Sequence, residues 1–168
     1  MADIDKAVRE ARKLIRASDI SVPPVPVDKI ARAQNARIQY VPFDGDLSGM
    51  AFIKDGVAVI GVNALHHPNR QRFTIAHELG HIQLHRALIE AEVHLDQGSL
   101  KRDALAAAGT DNNEIEANAF AAELLMPQAL LKAALGGRSV DLEDDAAIAT
   151  LARKFKVSEA AMRFRFET

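Results

Sequence analysis

The chain has no cysteine, which excludes disulfides, thiolate-ligated zinc and a thiol nucleophile together. Any metal it holds must therefore be bound through histidine, aspartate or glutamate. It also lacks an excess of charge of either sign, since 21 Lys and Arg stand against 23 Asp and Glu for a formal net charge of −2. No global field draws it to nucleic acid or to an anionic membrane. No apolar run approaches the roughly 20 residues of a membrane span. The first residues, MADIDKAVREARKLIR, carry charges at helical intervals where a secretion signal would carry an apolar core. Internal repeats and low-complexity tracts are absent too. What remains is a chain of 168 residues, 48% hydrophobic, a size that one core can serve. The expectation is one cytoplasmic domain over residues 1–168, with an N-terminal helix and Pro-rich connector at 1–25 and a C-terminal helical segment at 139–168 packed on the core.

From Ile4 to Arg16 apolar residues recur at three and four, which predicts an amphipathic helix. SVPPVPV cannot continue it, because proline removes backbone donors and favours extended chain. A short helix from Val27 to Gln34 follows, then strands over Arg37 to Phe43, Leu47 to Lys54 and Val57 to Val62. Asp55-Gly56 between the last two is a strong hairpin signal, since a type I′ turn needs positive φ at both positions. After a loop from Asn63 to His67, Pro68 suits a first helical turn, and apolar spacing carries that helix to about Leu88. Residues 89–110 show no clean period and read as an irregular excursion. Capping residues at Thr110 to Asn113 open a helix from about Asn112 to Met126, ended near Pro127. Two or three short helices complete the chain.

The chemistry is concentrated in RFTIAHELGHIQLH, residues 72–85, which hold three of the six histidines. His77-Glu78-Leu79-Gly80-His81 is H-E-x-x-H. On a helix the two histidines lie within about 40° of one face and one turn apart, so both imidazoles can reach one ion. Glu78, offset by about 100°, stands beside that ion, placed to accept a proton from water that the metal has acidified. A catalytic zinc needs a third protein ligand. The extended pattern with a third histidine is excluded, because Leu84 and Ala87 stand where it needs glycine and histidine. A carboxylate from a later helix is the other common solution, and NNEIEANAFAAELLMP at 112–127 offers one.

Within it Glu114 and Asn118 share a face, while Glu116 lies about 200° from Glu114, so both carboxylates cannot face one ion. Glu114 is the expected third ligand, with Asn118 one turn on orienting a ligand histidine. The alternative for this glutamate pair is a solvated helix face. His85, about 80° around from His77, suits a helix end or a place behind a ligand better than the ion itself. Hydrolysis also needs a group to polarise the scissile carbonyl. His66, His67, His94 and Tyr40 are candidates among which the sequence does not choose.

RQRFTIAHELGHIQLH at 70–85 followed by EIEANAFAAELLMP at 114–127 resembles the ImmA/IrrE family of zinc metallopeptidases. The likeness extends to GVN at 61–63 and to LARKFKVSEAAMRFRFE near the C-terminus, and it covers Pro26 to Phe166. It implies an α+β, zincin-like core in which a small antiparallel or mixed sheet packs on the H-E-x-x-H helix. It also implies metal ligands at His77, His81 and Glu114, a catalytic glutamate at Glu78, and Zn2+ as cofactor, with Mn2+ the alternative. Family members act on helix-turn-helix repressors, and cutting them releases stress, phage or mobile-element genes. Some members carry C-terminal sensor domains. This chain ends soon after the core, so regulation is expected from a partner, from metal supply or from the loop at 89–110.

Val57 to Val62, running into the active helix, is expected to be an edge strand able to pair with an extended substrate. Two rival readings remain. One is a protein that binds metal or repressor without cutting. The other is DNA binding through Ala146 to Phe155 and Glu159 to Glu167, which resemble a helix-turn-helix with Arg153, Lys154, Lys156, Arg163 and Arg165 nearby. Phe155, Val157, Met162, Phe164 and Phe166 are too apolar for an exposed recognition helix, so direct nucleic-acid contact is not expected.

Overall fold

The Asp55-Gly56 turn brings two strands together, with φ of 53° at Asp55 and 77° at Gly56. The computed structural model describes residues 1–97 and 111–167. In it β2 (Gly49–Lys54) and β3 (Val57–Asn63) form that hairpin, preceded by β1 (Ala36–Val41). A short β4 (His94–Asp96) completes a four-stranded mixed sheet in the order β1-β3-β2-β4. β1 runs parallel to β3, whereas β2 is antiparallel to both β3 and β4. β3 is thus paired on both sides and nearly all buried. The edge-strand expectation for Val57 to Val62 is therefore overturned, because β1 joins the open side of the hairpin. The continuous apolar run of β3 is what a strand covered on both faces requires.

Eight helices surround the sheet among the described residues: α1 (Ile4–Ala17), α2 (Val27–Ala33), α3 (Pro68–Leu84), α4 (Arg86–Ala91), α5 (Asn112–Leu125), α6 (Gln128–Leu135), α7 (Asp145–Phe155) and α8 (Glu159–Glu167). The architecture is α+β. α3 carries H-E-x-x-H and lies against the sheet at Gly49, where an added Cβ would come within 2.4 Å of the Thr74 side chain and 2.8 Å of the Gly61 carbonyl oxygen. α5 packs on the other side of α3, and α1 packs on α5 through buried Ala7, Ala11 and Leu14. Ile60, Ile75, Leu79, Ile82, Phe120, Leu124 and Leu125 are nearly or wholly excluded from water at this seam. Each such side chain contributes about 1.5–3 kcal/mol, which offsets the cost of burying polar groups beside them.

Two element boundaries differ from the sequence expectation. α3 stops at Leu84, since His85 adopts φ −128° and ψ 37°. A separate helix, α4, then occupies Arg86–Ala91. The stretch read as irregular from residue 89 thus begins with helix and strand, and its part at 98–110 lies outside the described residues.

The last helix uses two of its cations internally. Arg163 bonds the Leu142 carbonyl oxygen and Asp145, and Arg165 bonds the Met126 carbonyl oxygen and Glu123. Phe155, Val157 and Met162 are buried, whereas Phe164, about 200° around α8 from Met162, is 57% exposed.

Candidate metal centre

The site is built where α3, α5 and β4 meet. His77, Glu78 and His81 occupy the middle of α3, and all three are buried, as is Glu114 in the first turn of α5. What lets the two helices approach is Gly80, inside the H-E-x-x-H motif itself. A Cβ there would lie 3.0 Å from Phe120 Cδ1 and 3.3 Å from both the Cα and the carbonyl oxygen of Ala117. The α5 N-terminus is held by Asp111, whose carboxylate accepts the Glu114 N–H at 3.1 Å. Glu114 is thereby delivered to the α3 histidines.

His77 Nε2 lies 2.9 Å from Glu114 Oε2, and His81 Nε2 lies 3.0 Å from Glu114 Oε1. The two Nε2 atoms are 3.2 Å apart. Behind each imidazole stands a group that determines its tautomer. His77 Nδ1–H donates to Asn118 Oδ1 at 2.9 Å. His81 Nδ1 is 3.1 Å from His85 Nδ1, and His85 Nε2–H donates to Glu116 Oε2 at 2.7 Å. With Nδ1 of His77 and of His81 carrying the proton, both Nε2 lone pairs point at the carboxylate of Glu114. Three lone-pair donors facing one another repel unless something positive lies between them.

The donor set fits a divalent cation such as zinc, which takes imidazole nitrogen and carboxylate oxygen. In a tetrahedral site with bonds of about 2.0–2.1 Å, ligand atoms lie about 3.3 Å apart, close to the separations observed here. Two buried oxygens, Glu78 Oε1 and Glu114 Oε2, have no hydrogen-bond partner. Glu114 Oε2 is near His77 Nε2 without the alignment of a hydrogen bond. Buried polar atoms are rarely left so; a bound ion would account for Glu114 Oε2, and a water beside it for Glu78 Oε1.

His94 is brought into the cluster from β4. Its Nδ1–H donates to Glu78 Oε2 at 2.9 Å and its Nε2–H to Glu114 Oε1 at 2.7 Å. With His77, His81 and Glu114 it forms a group able to hold a metal ion, and a second group joins His77, Glu78 and buried Asp96. Sequence reasoning left His94 among several candidates and did not name Asp96. The signal that could have found them is their alternation on one strand, which puts both on one face.

The electrostatics follow from this packing. Burial works against the charge of His94, but the hydrogen bonds to Glu114 and Glu78 outweigh it and push the imidazole up to about 10. Burial would raise Glu114, yet the imidazoles of His77, His81 and His94 gathered around it hold its carboxyl well below the usual range. Desolvation brings His81 down to about 4, which favours the neutral, ligating imidazole. Burial raises Glu78, only partly opposed by His94.

The other candidates lie elsewhere. Tyr40 is 49% exposed on β1, on the far side of β3 from β2 and β4, and it borders a surface pocket with Pro68, Asn69 and Arg72. The order of the sheet therefore separates it from the histidines. His66 Nε2 meets Asn63 Nδ2 at 3.2 Å, and His67 caps α3 by accepting the Asn69 N–H at 3.1 Å. Both serve the loop that leads into α3. His85 sits at the end of α3, behind His81.

Residues 31–167 match the family model described as the IrrE N-terminal-like domain of the M78 peptidases. No curated protein matches the chain. A Mycobacterium tuberculosis transcriptional regulator of solved structure shares the fold, with a TM-score of 0.58 at 15% identity over 94% of this chain and 45% of that one. The chain thus spans less than half of that regulator's length. The breadth of the family match, over a region that contains every side chain of the cluster, shows that the chain belongs to the IrrE N-terminal-like metallopeptidase family.

Proposed function

We propose that the chain is a zinc-dependent endopeptidase that cuts a helix-turn-helix transcriptional repressor and so relieves repression of stress, phage or mobile-element genes. The observation that carries the reading is the convergence of two imidazole lone pairs and the Glu114 carboxylate beside a buried, partly unsatisfied Glu78. The substrate class rests on family resemblance, and the transcriptional regulator of similar fold agrees with it.

His77, His81 and Glu114 would hold the ion. Zinc, or manganese in its place, supplies a Lewis acid that activates water and polarises a peptide carbonyl. The remaining work falls to side chains of the protein. Glu78 accepts the proton of the attacking water and returns it to the leaving amine. Burial raises its pKa above that of an ordinary carboxyl, which makes it a stronger base. His94, the more exposed partner of Glu78 and Glu114, is the group placed to donate to the carbonyl oxygen as negative charge develops there, through the Nε2–H that Glu114 would release on holding the ion. β4, outermost in the sheet order among the described residues, replaces β3 as the strand beside which an extended substrate would lie.

Intact-mass analysis of a helix-turn-helix repressor, taken from beside this gene where one is encoded there, incubated with zinc-loaded wild type or Glu78→Gln, tests the reading. Discrete fragments from wild type alone are expected. Zinc bound stoichiometrically without fragments from either protein would replace the peptidase with a metal-dependent regulator that binds its repressor without cutting.

A further inference from the structure

Residues before Ala31 lie outside the stretch that matches the family, yet one of them bonds a group that stands behind the metal centre. The backbone N–H of Asp3 donates to Glu116 Oε1 at 2.7 Å, while Glu116 Oε2 accepts from His85 Nε2–H at 2.7 Å. His85 Nδ1 is in turn 3.1 Å from Nδ1 of His81. The side chains of His85 and Glu116 are only 8% and 16% exposed, so water does not readily replace either. Asp3 is the N-cap of α1, its carboxylate accepting the Lys6 N–H at 2.9 Å. α1 is fastened to α5 by its buried alanines and by Arg12, which bonds Glu123 at 2.9 Å. The amide that meets Glu116 is therefore fixed in space.

The direction of the hydrogen bonds follows from the ends of the chain. An amide N–H can only donate, and a carboxylate can only accept. Glu116 takes one hydrogen from Asp3 and one from His85 Nε2. At the other end, a His81 that ligates through Nε2 carries its proton on Nδ1, so His85 Nδ1 is the acceptor across the 3.1 Å contact. That leaves the Nε2 lone pair of His81 aimed at Glu114.

We propose that Glu116, fixed by the Asp3 amide, is a positioning residue that acts through His85 to hold His81 in its metal-binding tautomer, so that the N-terminal helix sets how tightly the metal is retained. The inference rests on the reading of the cluster as a metal centre. Partners behind a ligand imidazole typically change metal affinity 10- to 100-fold when removed, and an effect of about that size is expected here.

Zinc affinity by chelator competition and long-range 1H–15N spectra of the imidazoles test it on the full chain. Glu116→Leu, which leaves no acceptor, should weaken zinc about 10- to 100-fold and lose the Nδ1–H signature of His81 in the metal-free protein. Glu116→Gln, which keeps one acceptor oxygen, should restore most of the affinity. Asp3→Pro should weaken zinc more than Asp3→Ala, because both remove the side-chain cap and only proline removes the N–H. A folded Glu116→Leu protein with unchanged zinc affinity overturns the relay, as does a wild-type His81 that carries its proton on Nε2. Zinc binding that depends on Glu116 without any cleavage would sink the peptidase reading and leave the relay standing.

Discussion

α5 buries two carboxylates, Glu114 in its first turn and Glu123 in its last, 6% and 3% exposed. Glu123 is satisfied by the chain itself. Arg12 of α1 bonds it at 2.9 Å and Arg165 of α8 at 2.5 Å, and the Gln128 N–H adds a third donor at 3.3 Å. Glu114 faces three imidazoles, groups whose charge depends on protonation, and keeps one oxygen without a hydrogen bond. Both sites bury negative charge, but among the described residues only Glu123 meets permanent cations that neutralise it. A guanidinium fork fastens helices together. Imidazoles with their lone pairs aligned prepare a place for an ion that can come and go.

The sharpest way to break this comparison is to remove one ligand. A protein zinc site of four ligands is worth about 10–16 kcal/mol, so His81→Ala should cost about 3–4 kcal/mol, several hundredfold in zinc affinity. Competition with a chelator reads this, and the rise in melting temperature that excess zinc gives wild type should vanish. Unchanged zinc affinity would mean that the ion is held elsewhere. Next comes Glu123→Ala, which leaves Arg12 and Arg165 facing a buried gap. It should cost about 3 kcal/mol of stability in urea denaturation while zinc affinity stays as in wild type. If zinc affinity falls with it, the two sites are not separate in function.

A smaller effect should follow from Asn118→Ala, which removes the acceptor behind His77 Nδ1. Zinc affinity should fall about tenfold with little change in metal-free stability. A modest loss of stability is expected for Gly80→Ala. Crowding against Phe120 and Ala117 costs about 1–3 kcal/mol, but replacing glycine within a helix returns about 1 kcal/mol. The net loss should be about 1 kcal/mol by urea denaturation, with zinc affinity also lowered because α3 and α5 are forced apart. A Gly80→Ala protein more stable than wild type would show that the helices have slack.

Much of this arrangement is legible in the sequence wherever one helix or one turn carries the information. H-E-x-x-H places its residues on α3 by periodicity alone, and Asp55-Gly56 announces the β2–β3 hairpin because few residue pairs accept positive φ twice. The relation of Glu114 to Asn118 is also local, being one helical turn. What was not legible depends on pairing between distant segments. His94 reaches the cluster because β4 pairs with β2, opposite Ala51, and a strand of three residues leaves almost no periodic trace. β3 is internal because β1 returns beside it, a parallel pairing that nothing in the hairpin foretells. The early end of α3 has a similar cause: His85 leaves helical geometry, and its ring lies between His81 and Glu116.

The contact between the Asp3 amide and Glu116 has a practical side for anyone preparing the protein. A purification tag joined at Met1 begins within about 7 Å of that amide along the chain. A run of histidines there would bring competing imidazoles to the very segment that steadies His81. Metal content measured on such a fusion would describe the tag as much as the protein, and the tag should be cleaved before any zinc titration is interpreted.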